Sequence, residues 1–250
     1  LGFTGSEDQG QEGLELAFEQ RLAGEDGAKR VIQDRLGRVV ENVDSVRAPR
    51  PGEELVTSID LRIQYLAYRE LKSAIREYQA RAGSVVVLDV KTGEVLAMVN
   101  QPSFNPNNRD KLASERYRNR AVTDLFEPGS TMKPITVAMA LDAGRITPQT
   151  IIDTGPGRYS MGGFTINDTH NYGVLTVEGV IQKSSNVGSI KIAQKMSPRE
   201  MWDTYTALGY GQKPKIEFPG AVGGRVRAWK SWRPIEQATM SYGYGLSASL

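Results

Sequence analysis

Apolar positions change their spacing several times along the chain, and those changes divide it. Leu61, Tyr65, Leu66, Tyr68, Leu71, Ile75 and Tyr78 recur at helical spacing. They predict one long helix over 61–81, capped by Ser58 or Asp60 and ended by Gly83. The period then shortens. Residues 84–90 and 94–99 are Val-rich runs on either side of Lys91-Thr92-Gly93, which predicts a hairpin with a strand buried on both faces and belonging to a bigger sheet. Residues 101–119 are a polar loop rich in Asn and Pro. A helix follows from Ser130 through Val137, Ala138, Met139 and Leu141 to Gly144. The Gly-rich stretch 151–172 reads as irregular or short-stranded, and further helices are expected over 176–182, 187–196, 198–208 and 235–240. The stretch 219–232 reads as loop.

The first 54 residues are organised differently. They are rich in Gly and charge and sustain no apolar period, apart from a short amphipathic helix over 13–22 and two short strands over 31–40 turning at Gly37. Ala48-Pro49-Arg50-Pro51-Gly52 is punctuation. Two parts are therefore expected, 1–54 and 55–250. No internal repeat or low-complexity tract is visible.

Composition narrows the class. A chain of 250 residues with 39% hydrophobic and 24% charged residues is ordinary for a globular protein. Its 31 basic and 29 acidic residues are scattered evenly, which argues against a basic stripe for nucleic acid. It has no cysteine, so disulfides and thiolate metal sites are excluded; that fits an oxidising compartment. No run of about 18 apolar residues occurs, so no membrane span is expected in this segment. The start at Leu1, with no signal peptide, gives the expectation of an excised piece.

The candidate chemistry centres on Glu127-Pro128-Gly129-Ser130-Thr131-Met132-Lys133-Pro134. Pro128 and Gly129 force a turn, an apolar helix follows, and Ser130 and Lys133 at i and i+3 share a face. A hydroxyl beside an amine can make a nucleophile without histidine, and His170 is the sole histidine, so a Ser-His-Asp mechanism is hard to build. The plainer alternative makes Ser130 a helix cap and Lys133 a solvated charge.

A second candidate is Ser184-Ser185-Asn186 at a turn between helices, a pattern repeated at Ser103-Phe104-Asn105; either could be no more than a polar turn. Lys91-Thr92-Gly93 reads as a structural hairpin turn. His170 reads as an exposed loop residue. Asp168 and His170 could ligate a metal, but no further ligands cluster nearby in sequence. In Tyr242-Gly243-Tyr244-Gly245 the tyrosines read as packing, with glycines that would let a ligand approach.

In their order, these motifs resemble the class B penicillin-binding proteins. The likeness is carried by Arg118-Asn119-Arg120-Ala121, Phe126 to Pro134, Lys183-Ser184-Ser185-Asn186-Val187-Gly188 and Tyr242-Gly243-Tyr244-Gly245-Leu246-Ser247. Asp89-Val90-Lys91-Thr92-Gly93-Glu94 and Asn100 to Asn108 look most like the cell-division branch, the penicillin-binding protein 3 group.

The resemblance implies a mixed α+β chain with the penicillin-binding transpeptidase fold, shared with serine β-lactamases: an antiparallel sheet flanked by helical lobes, with 1–54 a pedestal remnant. It implies a D,D-transpeptidase that cross-links peptidoglycan stem peptides and is acylated by β-lactam antibiotics. Ser130 would be the nucleophile, Lys133 its base and Ser184 the proton relay. Asn186 would bind the substrate amide, and Tyr244 would wall the pocket. No cofactor or metal is implied. The implied location is the periplasmic face of the inner membrane, through an anchor outside this segment. The implied partners are a lipid-linked glycan polymerase and other division proteins. Two rival readings are a serine β-lactamase, which would need a placed deacylating carboxylate or modified lysine, and a non-catalytic β-lactam sensor. The family's Lys-(Ser/Thr)-Gly strand, which follows the S-x-N motif, has no counterpart after Asn186. The expectation is a transpeptidase domain truncated before that strand and inactive by itself.

Overall fold

The computed structural model describes residues 2–108 and 114–250. By its contacts the chain divides into two units, residues 1–123 with 216–220, and residues 124–215 with 221–250.

The first unit opens with a two-stranded ladder, β1 (Phe3–Thr4) and β2 (Gly10–Glu12), then α1 (Gly13–Ala17) and α2 (Glu19–Leu22). The single helix expected over 13–22 is thus broken at Phe18, whose backbone is non-helical (φ −114, ψ 22). β3 (Ala28–Gln33) and β4 (Val39–Arg47) form a hairpin longer than the one read from the pattern. Backbone pairing carries the ladder into Lys29, Arg30 and Asp44, where apolar residues are sparse.

α3 (Leu61–Glu77) takes Asp60 as its cap. The Asp60 carboxylate accepts from Arg62 N at 2.8 Å and Ile63 N at 3.2 Å, satisfying amides that the first helical turn leaves without partners. The helix stops short of the expected end. Gln79 turns left-handed at φ +51, and Gly83 begins β5 (Gly83–Leu88) instead of ending α3. β5 pairs antiparallel with β6 (Val95–Gln101), matching Val85 with Val99 and Val87 with Ala97.

Burial alternates along β6: Ala97, Val99 and Gln101 are buried while Met98 and Asn100 are only half-buried. One face is closed, not the expected two. Nor is there a bigger sheet among the described residues, where the pair stands as a two-stranded ladder. The outer edge of β6 is occupied by α3 instead. The Gln64 amide donates to Met98 O and accepts from Met98 N, both at 2.9 Å, in place of another strand. The expected loop 101–119 contains the short helix α4 (Ser114–Tyr117), and residues 109–113 of it lie outside the described residues; α5 (Arg120–Thr123) follows.

The second unit is mostly helical. A 3₁₀ turn, Gly129–Met132, runs into α6 (Lys133–Asp142). β7 (Ile151–Asp153), β8 (Arg158–Met161), β9 (Phe164–Asn167) and β10 (Val174–Thr176) are short, with β8 pairing β9 and β7 pairing β10. Then come α7 (Val177–Gln182), α8 (Asn186–Ala193), α9 (Pro198–Ala207), a 3₁₀ turn at Trp229–Ser231 and α10 (Pro234–Met240). These bounds follow the expected helices closely because each start carries its own signal. Thr176 caps α7 through Gly179 N, Ser185 caps α8 through Gly188 N, and Ser197 with Glu200 forms a capping box on α9.

Their apolar faces meet in a core around Met132, Val137, Val180, Ile192, Met201 and Met240, with a smaller cluster at Ile190, Ala238 and Tyr242. Removing a cap should be felt. Thr176→Ala is expected to lower the unfolding free energy of the protein by about 1 kcal/mol, read as an earlier urea midpoint. An unchanged midpoint would show that the Thr176 bond contributes nothing net.

Candidate active site

The Ser130 turn is set by its neighbours in sequence and sealed by a distant one. Pro128 (φ −65) precedes it, Gly129 lies at φ +60, and the Gly129 N–H donates to Gly243 O at 3.1 Å. Gly243 itself lies at φ +88, and a Cβ there would fall 2.1 Å from Gly129 O. The two glycines let the Tyr242–Gly245 turn press backbone to backbone against the turn carrying Ser130. Gly245 N adds a bond to the Glu127 carboxylate at 2.8 Å.

Ser130 is exposed, whereas Lys133, the first residue of α6, is 2% exposed. Its Nζ donates to Ser130 Oγ at 3.1 Å, to Ser184 Oγ at 2.9 Å and to Ser184 O at 2.5 Å. Those three acceptors match the three donors of an ammonium. Burial nevertheless disfavours the charged form and brings the Lys133 pKa down to about 8, against a smaller opposing pull from the Asp168 carboxylate. A lysine near pKa 8 is neutral often enough at physiological pH to accept a proton. The arrangement can therefore deprotonate Ser130 without histidine.

Ser184 reaches Lys133 from the α7–α8 junction. Its backbone is left-handed at φ +52, uncommon for a residue with a Cβ, and this turns both its carbonyl and its hydroxyl toward the lysine. Asn186 opens α8, and its Nδ2 donates to Asn167 O at 3.0 Å. Tyr244 is 52% exposed, and its ring meets Tyr242 edge-on at 5.6 Å. The structure thus brings Ser130, Lys133 and Ser184 into one hydrogen-bonded cluster. Asn186 stands two residues beyond it, and Tyr244 makes no side-chain hydrogen bond to it among the described residues.

The other patterns have local explanations. Lys91 N and Thr92 N both donate to the Asp89 carboxylate, at 2.8 and 2.9 Å, so that triplet is a hairpin turn. Phe104 of Ser103-Phe104-Asn105 packs edge-on against Phe3 and Tyr117. His170 is exposed beside Tyr172.

Sequence reasoning passed over Asp168 as anything but a weak metal candidate. Its carboxylate is spent on the α7–α8 junction, accepting from Ser185 Oγ at 2.6 Å, Asn186 N at 2.5 Å and Val187 N at 3.1 Å. Nothing in the local sequence announces it, because its partners are 17–19 residues away.

A family model described as the penicillin binding protein transpeptidase domain matches residues 83–250, and one for the penicillin-binding protein dimerisation domain matches residues 2–57. A relative from Neisseria meningitidis, described as probable peptidoglycan D,D-transpeptidase PenA, is 50% identical over all of this chain and 43% of its own length. Peptidoglycan D,D-transpeptidase FtsI of Escherichia coli K12 is 44% identical over 98% of this chain and 41% of its own length. This chain thus spans less than half of those relatives. Among solved structures, the apo TP domain of Burkholderia pseudomallei penicillin-binding protein 3 is 54% identical. It aligns with a TM-score of 0.71, over 80% of this chain and 56% of the other.

Proposed function

Because this chain belongs to the penicillin-binding protein transpeptidase family, we propose that it is the Ser130-bearing part of a peptidoglycan D,D-transpeptidase acting in septal cell-wall synthesis. The observation that carries the reading is the Lys133 amine, buried and shared between the Ser130 and Ser184 hydroxyls.

In the proposed reaction, neutral Lys133 takes the Ser130 proton as Oγ bonds to the carbonyl carbon of the penultimate D-alanine. The carbon–nitrogen bond to the terminal D-alanine then breaks, and Ser184 passes a proton from Lys133 to the departing amine. An amino group of a second stem peptide attacks the Ser130 ester; the new amide forms as the ester C–O bond breaks, and Lys133 carries the proton lost by that amine back to Ser130 Oγ, completing the cross-link. The oxyanion is served by the Ser130 N–H. It lies among the first amides of the turn, which have no acceptor within the turn itself. Asn186 holds the substrate amide, and Tyr244 borders the pocket.

A β-lactam enters by the same first step and stays as an ester. Hydrolytic turnover as a β-lactamase would need a carboxylate free to activate water. Asp168, the charge that acts on Lys133, has both oxygens occupied by the α7–α8 junction.

Residues 1–54 are proposed as a pedestal remnant and 55–250 as the catalytic part. The whole protein is proposed to sit at the periplasmic face of the inner membrane, beside a lipid-linked glycan polymerase and other division proteins. The test uses the full-length protein incubated with benzylpenicillin, with intact mass and peptide mapping as readouts. One penicilloyl adduct on the peptide containing Ser130 is expected. No adduct, an adduct elsewhere, or rapid release of the hydrolysed drug overturns the proposal.

A further inference from the structure

The buried residues of α6 are apolar except at two positions, Lys133 and Thr136. Lys133 serves the Ser130 cluster. Thr136 lies one turn further on, is fully buried, and its Oγ1 donates instead to Ser241 O at 2.9 Å. Valine has the same shape as threonine, so what threonine adds at this position is the hydroxyl.

That hydroxyl meets a need at the end of α10. Ser241 is the C-cap of α10 and is also fully buried, and its carbonyl accepts no backbone amide among the described residues. A buried carbonyl without a donor is costly, and the last turn of a helix cannot supply one from within. The carbonyl before it, Met240 O, takes the Tyr205 phenol at 3.2 Å. Tyr205 comes from α9, is fully buried, and its Oη stands 3.5 Å from Thr136 Oγ1. Burial pushes its pKa up to about 12, so the phenol keeps the proton that it donates.

The helix end held in this way leads straight into the partner of the Ser130 turn. Gly243 N donates back to Met240 O at 3.1 Å, and Gly243 O receives Gly129 N at 3.1 Å. Residues 240–243 are therefore gripped from the turn before α6, through Gly129, and from inside α6, through Thr136. Tyr205 completes the grip from α9. Neither hydroxyl bonds Ser130, Lys133 or Ser184; both act through backbone carbonyls.

We propose that Thr136 and Tyr205 are positioning residues for acylation: their hydroxyls anchor the end of α10 so that Gly243 stays seated on the turn that presents Ser130. The proposal rests on the reading of Ser130 as the nucleophile. Without the Thr136 hydroxyl, Ser241 O is left buried and unpaired, and the helix end moves to find a donor. Gly243 moves with it, and the Ser130 turn loses its distant partner.

The experiment compares full-length wild-type, T136V, T136S, Y205F and I152A proteins in two assays. Ile152 is a buried core residue of β7 with no part in the grip, so I152A reports general loss of stability. The first assay is stopped-flow acylation by a fluorescent penicillin, which separates the dissociation constant of the drug from the acylation rate constant. T136V is expected to lose about tenfold in the rate constant, the scale of a slightly misplaced nucleophile, with the dissociation constant within about threefold of wild type. T136S, which restores the hydroxyl without the methyl, should recover most of the loss. Y205F should lose about threefold, because Met240 O keeps the Gly243 amide. I152A should acylate at the wild-type rate although it unfolds at a lower urea concentration. A wild-type rate constant in T136V, no recovery in T136S, or an equal loss in I152A overturns the proposal.

The second assay is hydrogen exchange at the Gly129 amide, read by NMR. Exchange is expected to quicken at least about tenfold in T136V as the bond to Gly243 O opens more often. Unchanged exchange also overturns the proposal. Y205F carries both assays if T136V does not fold. Should wild-type protein give no Ser130 adduct, the transpeptidase reading fails, and exchange at Gly129 alone decides whether the two hydroxyls hold the turn.

Discussion

Replacing Lys133 with methionine is expected to lower the rate of Ser130 acylation by about 10²–10⁴-fold, the range for loss of a positioned general base, while the protein stays folded. Methionine is unbranched and suits a position that is only 2% exposed. It removes a buried ammonium, whose desolvation opposes folding, and it also strips a donor from Ser184 O, Ser184 Oγ and Ser130 Oγ. These effects on stability have opposite signs; the effect on chemistry has one.

Wild-type protein should show the base directly in its pH profile. With the Lys133 pKa at about 8, only about a tenth of the amine is neutral at pH 7. Acylation should climb nearly tenfold per unit below pH 7 and level off above 8. For folding, the sign is the same. The unfolded chain keeps this lysine protonated up to its ordinary value of 10.5, so between about 8 and 10.5 the unfolded state binds more protons and stability rises with pH on this account. Below pH 8 the cost of burying the ammonium is fully present. Stopped-flow acylation of both proteins decides the matter. A flat profile from pH 6 to 9, or a methionine variant within tenfold of wild type, would remove Lys133 from the base role.

Gly243→Ala should damage both stability and acylation, although residue 243 does no chemistry. The added Cβ would lie 2.1 Å from Gly129 O, 2.4 Å from Gly129 N and 2.6 Å from Gly129 C. All three are backbone atoms, so no side chain can swing aside. The φ of +88 adds a conformational cost of its own. Together a loss of more than about 2 kcal/mol is expected. The Gly129–Gly243 hydrogen bond must open, and the turn presenting Ser130 must shift.

Gly162→Ala separates the two causes, since residue 162 sits at φ +57 with open space where the Cβ would go. It should show the backbone cost alone. Denaturant unfolding and penicillin acylation would be measured on all three proteins. If Gly243→Ala is no worse than Gly162→Ala in either, close approach to the Ser130 turn does not matter.

Much of the second unit was legible locally. The starts of α7, α8 and α9 were readable because Thr176, Ser185 and Ser197 each bond an amide three residues on. Ser130 and Lys133 could be paired from spacing alone, because a helical turn brings i and i+3 to one face. The early end of α3 was less visible. Gln79 in a left-handed conformation closes the helix four residues before Gly83, the glycine expected to do so. The outer edge of β6 was not legible for a related reason: a Val-rich run looks the same whether its edge meets a strand or the side-chain amide of Gln64.

By itself, then, the sequence determined most of the helices, the hairpin and the Ser130–Lys133 pair, because each follows from backbone geometry over a few residues. Only the tertiary structure decided that Ser184 turns back onto Lys133 across 51 residues, that Asp168 grips the junction beside it, and that Gly243 closes on the Ser130 turn. It also decided the chemistry of the amine. A lysine's charge depends on how much water surrounds it. Around Lys133 that water is displaced by atoms from distant elements, which no local spacing encodes.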